Sequence, residues 1–185
     1  MTVAIARDAE ILARCRAEPD RCPDAARRLL DIVAEAQAKS GRALLGDINR
    51  FVNLAIRFER DTLRPGGADA WAAPLATLSA GRGDCEDYAI LKYLALQQAG
   101  VAPGDLRFVV VRDLRRQEDH AVLAARLDGR WLVLDNRTLA LVDDDDLAGY
   151  AAVTAFGADP DDVRFAEDSR PELARRSPPR QADPS

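Results

Sequence analysis

The spacing of the apolar residues changes once along this chain, close to Gly100. Before that point the apolar residues follow helical spacing, which is typical of amphipathic helices. The clearest helical stripe consists of Leu45, Ile48, Phe51, Val52, Ala55 and Ile56. After Gly100, short apolar runs cover residues 106–114, 121–127 and 131–134 and are separated by turns such as Asp128-Gly129. Helices followed by an antiparallel meander predict an α+β fold.

Local signals place the boundaries of these elements. Pro23-Asp24 indicates a helix start, and a later helix is predicted from about residue 85 to residue 98, before Gly100. Residues 61–83 contain several prolines and glycines and predict an exposed loop. The acidic residues 143–146 predict a short helix or turn. The last residues are poor in apolar side chains, so we expect one domain over residues 1–167 and a disordered tail over 168–185.

Composition and charge argue against two kinds of function. The chain has 185 residues, 48% of them hydrophobic, and a formal net charge of -5, which fits a folded globular domain. No basic stripe with interleaved aromatic residues is present, so we expect no nucleic-acid partner. The apolar runs are too short for a transmembrane segment. The first residues lack the features of a signal peptide, so either the protein stays in the cytoplasm or an export segment was removed.

Three cysteines occur, and two of them lie close together in the sequence. Cys15 and Cys22 flank a turn at Pro19-Asp20. A disulfide that closes this short loop would imply an oxidising compartment. The alternative is a pair of ordinary semi-buried thiols. Cys85 remains as the unpaired thiol in either case.

The segment around Cys85 carries the strongest chemical signal. Two glycines precede Asp84, which is a good N-cap, so Cys85 falls in the first turn of the predicted helix. The amides and dipole of a helix N-terminus favour a thiolate and can stabilise an oxyanion. Glu86 and Asp87 raise the pKa of a nearby thiol, so a cationic partner is needed. We therefore expect a low pKa for Cys85, beside a histidine.

His120 is the only histidine of the chain, and it precedes an apolar strand. The next strand of the predicted hairpin ends in Asp135-Asn136. Because the strands are antiparallel, the end of the second lies beside the start of the first. Asp135 is thus expected to orient His120, which would act as the base for Cys85. By default a lone histidine is a surface residue or one satisfied by its neighbours.

The three segments at residues 83–88, 120–123 and 134–136 resemble the bacterial transglutaminase-like cysteine peptidases. That family includes the LapG-type periplasmic proteases, which release large adhesins from the outer membrane. The resemblance extends over roughly residues 10–157. It implies a papain-like core, with Cys85 as nucleophile, His120 as general base and Asp135 as the orienting acid.

The resemblance also suggests further residues and partners. Calcium is implied at Asp84 and Glu86, although a helix cap with acids that complement the dipole explains both residues without a metal. Trp71 is implied beside the substrate cleft, with a core role as the alternative. The implied partners are a protein substrate, with a cell-surface adhesin as one candidate, and a regulatory membrane protein. The implied location is the periplasm.

Three functions fit this set of residues. The first is peptide hydrolysis through a thioester acyl-enzyme. The second is acyl transfer, in which an amine instead of water attacks the same thioester. The third is a catalytically idle module that binds a peptide in the cleft. The complete set of Cys85, His120 and Asp135 favours an enzyme.

Overall fold

The computed structural model describes residues 2–60, 72–147 and 149–157. The helices are α1 (Thr2–Ala17), α2 (Asp24–Gln37), α3 (Gly41–Ala55), α4 (Pro74–Ala80) and α5 (Cys85–Gln98). The strands are β1 (Arg57–Phe58), β2 (Arg82–Gly83), β3 (Leu106–Asp113), β4 (Glu118–Leu127), β5 (Arg130–Leu134), β6 (Val142–Asp143) and β7 (Tyr150–Gly157). Helices followed by an antiparallel sheet confirm the predicted α+β fold.

The main sheet has the strand order β6-β5-β4-β3-β7, with antiparallel neighbours throughout. Asp128 and Gly129 connect β4 to β5 with φ of 51° and 80°, as a two-residue hairpin turn requires. This turn sets a register in which Leu123 lies opposite Leu134. The predicted hairpin is therefore confirmed, and it brings the start of β4 close to the end of β5.

Helix α5 packs against β4 and β3 and is surrounded by the remaining helices, which makes it the central element. Its apolar residues cover nearly its whole circumference, and that pattern belongs to a buried helix. The residues between Ala89 and Leu96 are buried with the exception of Tyr93. The opposite face of the sheet has a smaller cluster of valines, to which Tyr150 adds its ring. The N-terminus of α5 is thereby fixed against the start of β4.

The Cys15–Cys22 pair forms a disulfide, with the two Cα atoms 4.8 Å apart. It joins the last turn of α1 to the residues just before α2, across a short 3-10 helix at Pro19–Arg21. The disulfide interpretation is therefore confirmed. The predicted start of α2 after Pro23 is also confirmed, since that proline is its N-cap residue.

Three predictions of local structure were wrong or incomplete. Residues 74–80, predicted within an exposed loop, form α4, because Pro74 occupies its first turn and Leu75 and Leu78 are buried. The apolar stripe predicted for α3 did not include Asn49, which is nevertheless buried and donates to the carbonyl of Thr138. Strand β7 was not predicted. The acidic turn was predicted correctly, since Asp144–Asp146 forms a 3-10 helix.

Several predictions fall beyond the part of the chain that the structure describes. They include Trp71 and the predicted tail at residues 168–185, so the division at residue 167 stays a prediction. Within the described ranges, no helix combines the length and the apolar character needed to cross a membrane.

Candidate active site

Cys85 is the first residue of α5, and a reciprocal cap fixes the start of that helix. Oδ1 of Asp84 accepts hydrogen bonds from the amides of Glu86 and Asp87, each at 3.1 Å. In return Oδ2 of Asp87 accepts from the amide of Asp84 at 3.2 Å. This capping box orders the first turn and holds the thiol at the helix end. The N-cap role predicted for Asp84 is confirmed.

The low pKa expected for Cys85 is wrong for this geometry. Burial raises the pKa of the thiol to about 11, a hydrogen bond from the Ala121 backbone opposes the increase, and the charges of Glu86 and Asp84 add to it. A local motif shows the helix N-terminus but not how deeply the sulfur is buried against β4. The thiol is therefore protonated at neutral pH and needs a base to remove its proton.

The cap also limits which amides face a substrate. The amides of Glu86 and Asp87, both candidates for an oxyanion site, donate instead to Asp84. The cap leaves out the amide of Cys85 itself. Of the helix-terminal amides considered for the oxyanion, that one suits the role best.

His120 and Asp135 form a close pair across the β4–β5 hairpin. Nε2 of His120 lies 2.8 Å from Oδ1 of Asp135, and both side chains are buried. Burial opposes the ionisation of Asp135, but the hydrogen bond and charge of His120 outweigh it and lower its pKa to about 2. An ionised carboxylate can only accept, so Nε2 carries the proton. The pairing expected from the hairpin is present.

The other ring nitrogen of His120 is left for chemistry. Nδ1 is buried and has no hydrogen-bond partner among the residues that the structure describes. His120 and Cys85 line the same cavity, of about 420 Å³, and the amide next to His120 in sequence, that of Ala121, donates to the sulfur of Cys85. In the tautomer that Asp135 selects, Nδ1 is an acceptor and can take a proton from a thiol.

One side chain and one backbone amide, neither of them part of the sequence predictions, also hold Asp135. The hydroxyl of Tyr150, on β7, donates to Oδ2 at 2.7 Å, and its ring centroid lies 5.8 Å from that of His120. The amide of Arg137 donates to Oδ1 at 2.9 Å. Both carboxylate oxygens thus have donors. No local pattern indicated Tyr150, because it reaches the site only through the pairing of β7 with β3.

Ion pairs border the cavity beside these groups. The Arg137 guanidinium donates to Asp113 at 2.6 Å and to Glu118 at 2.7 Å. Arg60 donates to Glu118 at 2.6 Å. The cavity also includes apolar surface from Phe58 and Val110. A substrate would therefore meet a mixed wall of paired charges and apolar side chains.

The two predicted calcium ligands lie on either side of Cys85 and line its cavity. Carboxylate oxygens suit calcium, so Asp84 and Glu86 fit the ion in donor type. Two side chains are fewer than calcium normally takes, and in the described ranges no cluster of three or more acidic, cysteine or histidine side chains could hold a metal. The helix-cap role of Asp84 is established by its hydrogen bonds.

Comparison with known proteins identifies the family and agrees with the α+β fold. The family described as bacterial transglutaminase-like cysteine proteinase matches residues 7–153. The fold is similar to that of LapG from Legionella pneumophila, with a TM-score of 0.66, 24% identity, and coverage of 82% of this chain and 84% of that chain. For the calcium-bound form of that protein the TM-score is 0.66 and the identity is 23%, with coverage of 83% of this chain and 84% of that chain.

A search of curated proteins finds no match. The family match spans well over half of the chain, and the structural matches show the same fold. On this evidence the chain belongs to the family of bacterial transglutaminase-like cysteine proteinases.

Proposed function

We propose that the protein is a cysteine peptidase in which Cys85 is the nucleophile, His120 the general base and Asp135 the residue that orients His120. One observation carries the proposal: Asp135 engages Nε2 of His120 at 2.8 Å, while the buried Nδ1 has no partner among the described residues. That arrangement reserves one nitrogen for orientation and the other for proton transfer.

The reaction follows from these positions. Nδ1 of His120 takes the proton of Cys85 as the sulfur attacks the peptide carbonyl carbon. The amide of Cys85 stabilises the oxyanion. The tetrahedral intermediate collapses, the C–N bond breaks, and His120 returns the proton to the leaving amine. Water, deprotonated by His120, then attacks the thioester and releases the acid and the thiol.

Two other functions use the same residues. An amine that attacks the thioester in place of water would give acyl transfer. A module without catalysis would bind a peptide in the cavity. Burial of the ionised Asp135 beside His120 costs desolvation free energy. A module that only binds a peptide does not need this charge, so the buried pair argues against the idle module. Hydrolysis and acyl transfer differ only in which nucleophile reaches the thioester.

A single series of reactions separates the three functions. An unfolded reporter protein is incubated with the enzyme and a fluorescent primary amine, and new termini and amine incorporation are measured by mass spectrometry. New termini without incorporation support hydrolysis; incorporation supports acyl transfer. Cys85→Ser is the matched control, because it keeps the size of the side chain. If the wild type produces neither product, catalysis by this site is refuted.

We extend the proposal to calcium at Asp84 and Glu86. The support is their donor type, their position on either side of Cys85, and a calcium-bound form of a similar protein. A bound cation would supply positive charge next to the thiol. The melting temperature should rise with calcium chloride relative to EGTA, and Glu86→Gln should reduce the rise. Glu35→Gln, on α2, is the control. An equal melting temperature in calcium and in EGTA would refute the proposal.

We also propose a periplasmic location and a protein substrate. The Cys15–Cys22 disulfide supports an oxidising compartment. Membership of a proteinase family supports a protein substrate. A cell-surface adhesin as the substrate, with a membrane protein as regulator, is the specific version of this proposal. Fractionation of cells that express the natural gene, with immunodetection of this protein, tests its location; recovery in the cytoplasm alone would refute it.

A further inference from the structure

The chain almost completely avoids lysine, and one of its two lysines is buried. Lys39 and Lys92 are the only lysines among 26 basic residues; all the others are arginine. Lys39 is exposed and pairs with Asp47, whereas Lys92, on α5, is 0% exposed. A fully buried ammonium is costly unless it is compensated. Its retention in a chain that prefers arginine calls for a specific use.

The side chain of Lys92 reaches the C-terminal end of β5, immediately before Asp135. Its Nζ donates to the carbonyl of Leu134 at 3.2 Å. Leu134 is the last residue of β5 and immediately precedes Asp135. The ring centroid of Tyr88, one helical turn earlier on α5, lies 5.8 Å from Nζ. Among the described residues, the carbonyl of Leu134 is the one hydrogen-bond acceptor of Nζ.

Charge links Lys92 to the same carboxylate. Burial lowers the pKa of Lys92 to about 7, and the negative charge of Asp135 opposes that decrease. The hydroxyl of Tyr88, whose ring centroid lies 5.8 Å from Nζ, donates to the carbonyl of Ile56 at 2.7 Å. Asp135 is therefore the charge that acts on Lys92 inside the core.

Two amides of α3 hold the same turn from another side. Nδ2 of Asn53 donates to the carbonyls of Asp135, at 2.8 Å, and Thr138, at 2.9 Å. Asn49, one turn earlier on α3, donates to Thr138 at 3.0 Å. Together with Lys92, these side chains bind the backbone on both sides of the Asp135 carboxylate. The turn is thus supported from the core rather than from solvent.

We propose that Lys92 is a positioning residue for Asp135: its amino group, which donates to the carbonyl of Leu134, holds the end of β5 and fixes the direction in which the carboxylate meets His120. Among the described residues, Lys92 has no hydrogen bond to His120, whose Nε2 is taken by Asp135 and whose Nδ1 has no partner. Its effect on catalysis rests on the proposed peptidase function, whereas its effect on His120 does not.

Lys92→Met is the direct test, since methionine fills nearly the same volume without charge or donor. Replacement of a buried charge by an apolar side chain is often neutral or stabilising. We therefore expect an unchanged or higher melting temperature, KM close to that of the wild type, and kcat lower by roughly tenfold to a hundredfold. Lys39→Met is the matched control at an exposed position and should leave kcat unchanged.

A spectroscopic readout follows the orientation itself. Because His120 is the only histidine, ¹⁵N-labelled histidine gives the ring signals of that residue alone. The wild type and Lys39→Met should show the tautomer protonated at Nε2. Lys92→Met should show a mixture with the Nδ1 tautomer, because Asp135 no longer selects one form. A residue that only fills the core would not change this spectrum.

The outcomes separate this inference from the proposed function. If wild-type protein has no peptidase activity but Lys92→Met changes the tautomer of His120, the function fails and the role of Lys92 stands. If the wild type is active and Lys92→Met alters neither kcat nor the tautomer, the inference is overturned.

A second measurement applies even if Lys92→Met does not fold. With lysine labelled at ¹³Cε, the two lysines give two signals, and Lys39→Arg assigns them. Asp135→Asn should lower the pKa at which the Lys92 signal titrates, because the charge that opposes its deprotonation is gone. An unchanged Lys92 titration would overturn the inference.

Discussion

Nε2 of His120, on β4, lies 2.8 Å from Oδ1 of Asp135, which directly follows β5, the strand that a two-residue turn connects to β4. The hairpin register, rather than a flexible loop, therefore determines their separation. The carboxylate takes one nitrogen of the ring, the other has no partner within the described ranges, and His120 lines the same cavity as Cys85. The same pair gives the most direct tests of the site.

The first prediction concerns the carboxylate of Asp135. Asp135→Asn keeps the size of the side chain but removes the charge that stabilises an imidazolium and selects its tautomer. We expect a folded protein whose turnover is lower by roughly a hundredfold or more. Circular dichroism and peptide hydrolysis should be measured on the same sample.

Asp105→Asn provides the control for that variant. Asp105 is a partly exposed carboxylate that pairs with Arg126 and does not line the cavity. The Asp105→Asn variant should retain full turnover. A folded Asp135→Asn protein with near-normal activity would remove Asp135 from the mechanism, and Asn136 would be the next candidate to orient His120.

The second prediction is a dependence of stability on acid. Burial opposes the ionisation of Asp135, but the hydrogen bond and charge of His120 lower its pKa to about 2 in the folded protein, from an ordinary value of 3.8. A depressed pKa contributes stability that is complete above about pH 4 and is lost as the pH falls towards 2. The difference in melting temperature between wild type and Asp135→Asn should therefore shrink from pH 5 to pH 2. A constant difference would contradict the assignment.

The pair of His120 and Asp135 could be predicted because both lie in one hairpin. The Asp128-Gly129 dipeptide specifies a tight turn, and the apolar runs on either side specify the strands, so the register follows from local sequence. The helix that begins at Cys85 could also be predicted from local sequence, because Asp84 and Gly100 mark its two ends.

The other supports of the site come from distant parts of the fold. Tyr150 reaches Asp135 because β7 pairs with the opposite edge of β3, across an irregularity between Val110 and Val111. The burial of Lys92 could have been predicted, because a helix that is apolar on all sides, as α5 is, is buried. The raised pKa of Cys85 depends on burial, which its local motif does not encode.

The third prediction concerns the disulfide. A short loop closed by Cys15–Cys22 should stabilise the fold by about 2 to 3 kcal/mol through the entropy of the unfolded chain. Reduction, or replacement of both cysteines by alanine, should lower the melting temperature while the turnover of the folded protein stays unchanged. Denaturant unfolding with and without reductant measures the difference. A loss of turnover in the folded double variant would contradict a purely structural role.

The last prediction concerns the close approach of Gly83 to the first turn of α5. A Cβ at Gly83 would lie 2.7 Å from Cβ and from Oδ2 of Asp87. Oδ2 is the atom that accepts from the amide of Asp84, so Gly83→Ala must displace one half of the capping box. We expect a lower melting temperature and a reduced turnover, because Cys85 begins the helix that this cap fixes.

Gly104→Ala is the matched control for Gly83→Ala. An added Cβ at Gly104 meets no atom within 4 Å, and the residue lies in a short 3-10 helix before β3. It should therefore leave both melting temperature and turnover unchanged. If Gly83→Ala shows the same melting temperature and turnover as Gly104→Ala, the first turn of α5 tolerates displacement of Asp87. The position of Cys85 would then depend on its contact with Ala121 and on the packing of α5 against β4, and the capping box would contribute little.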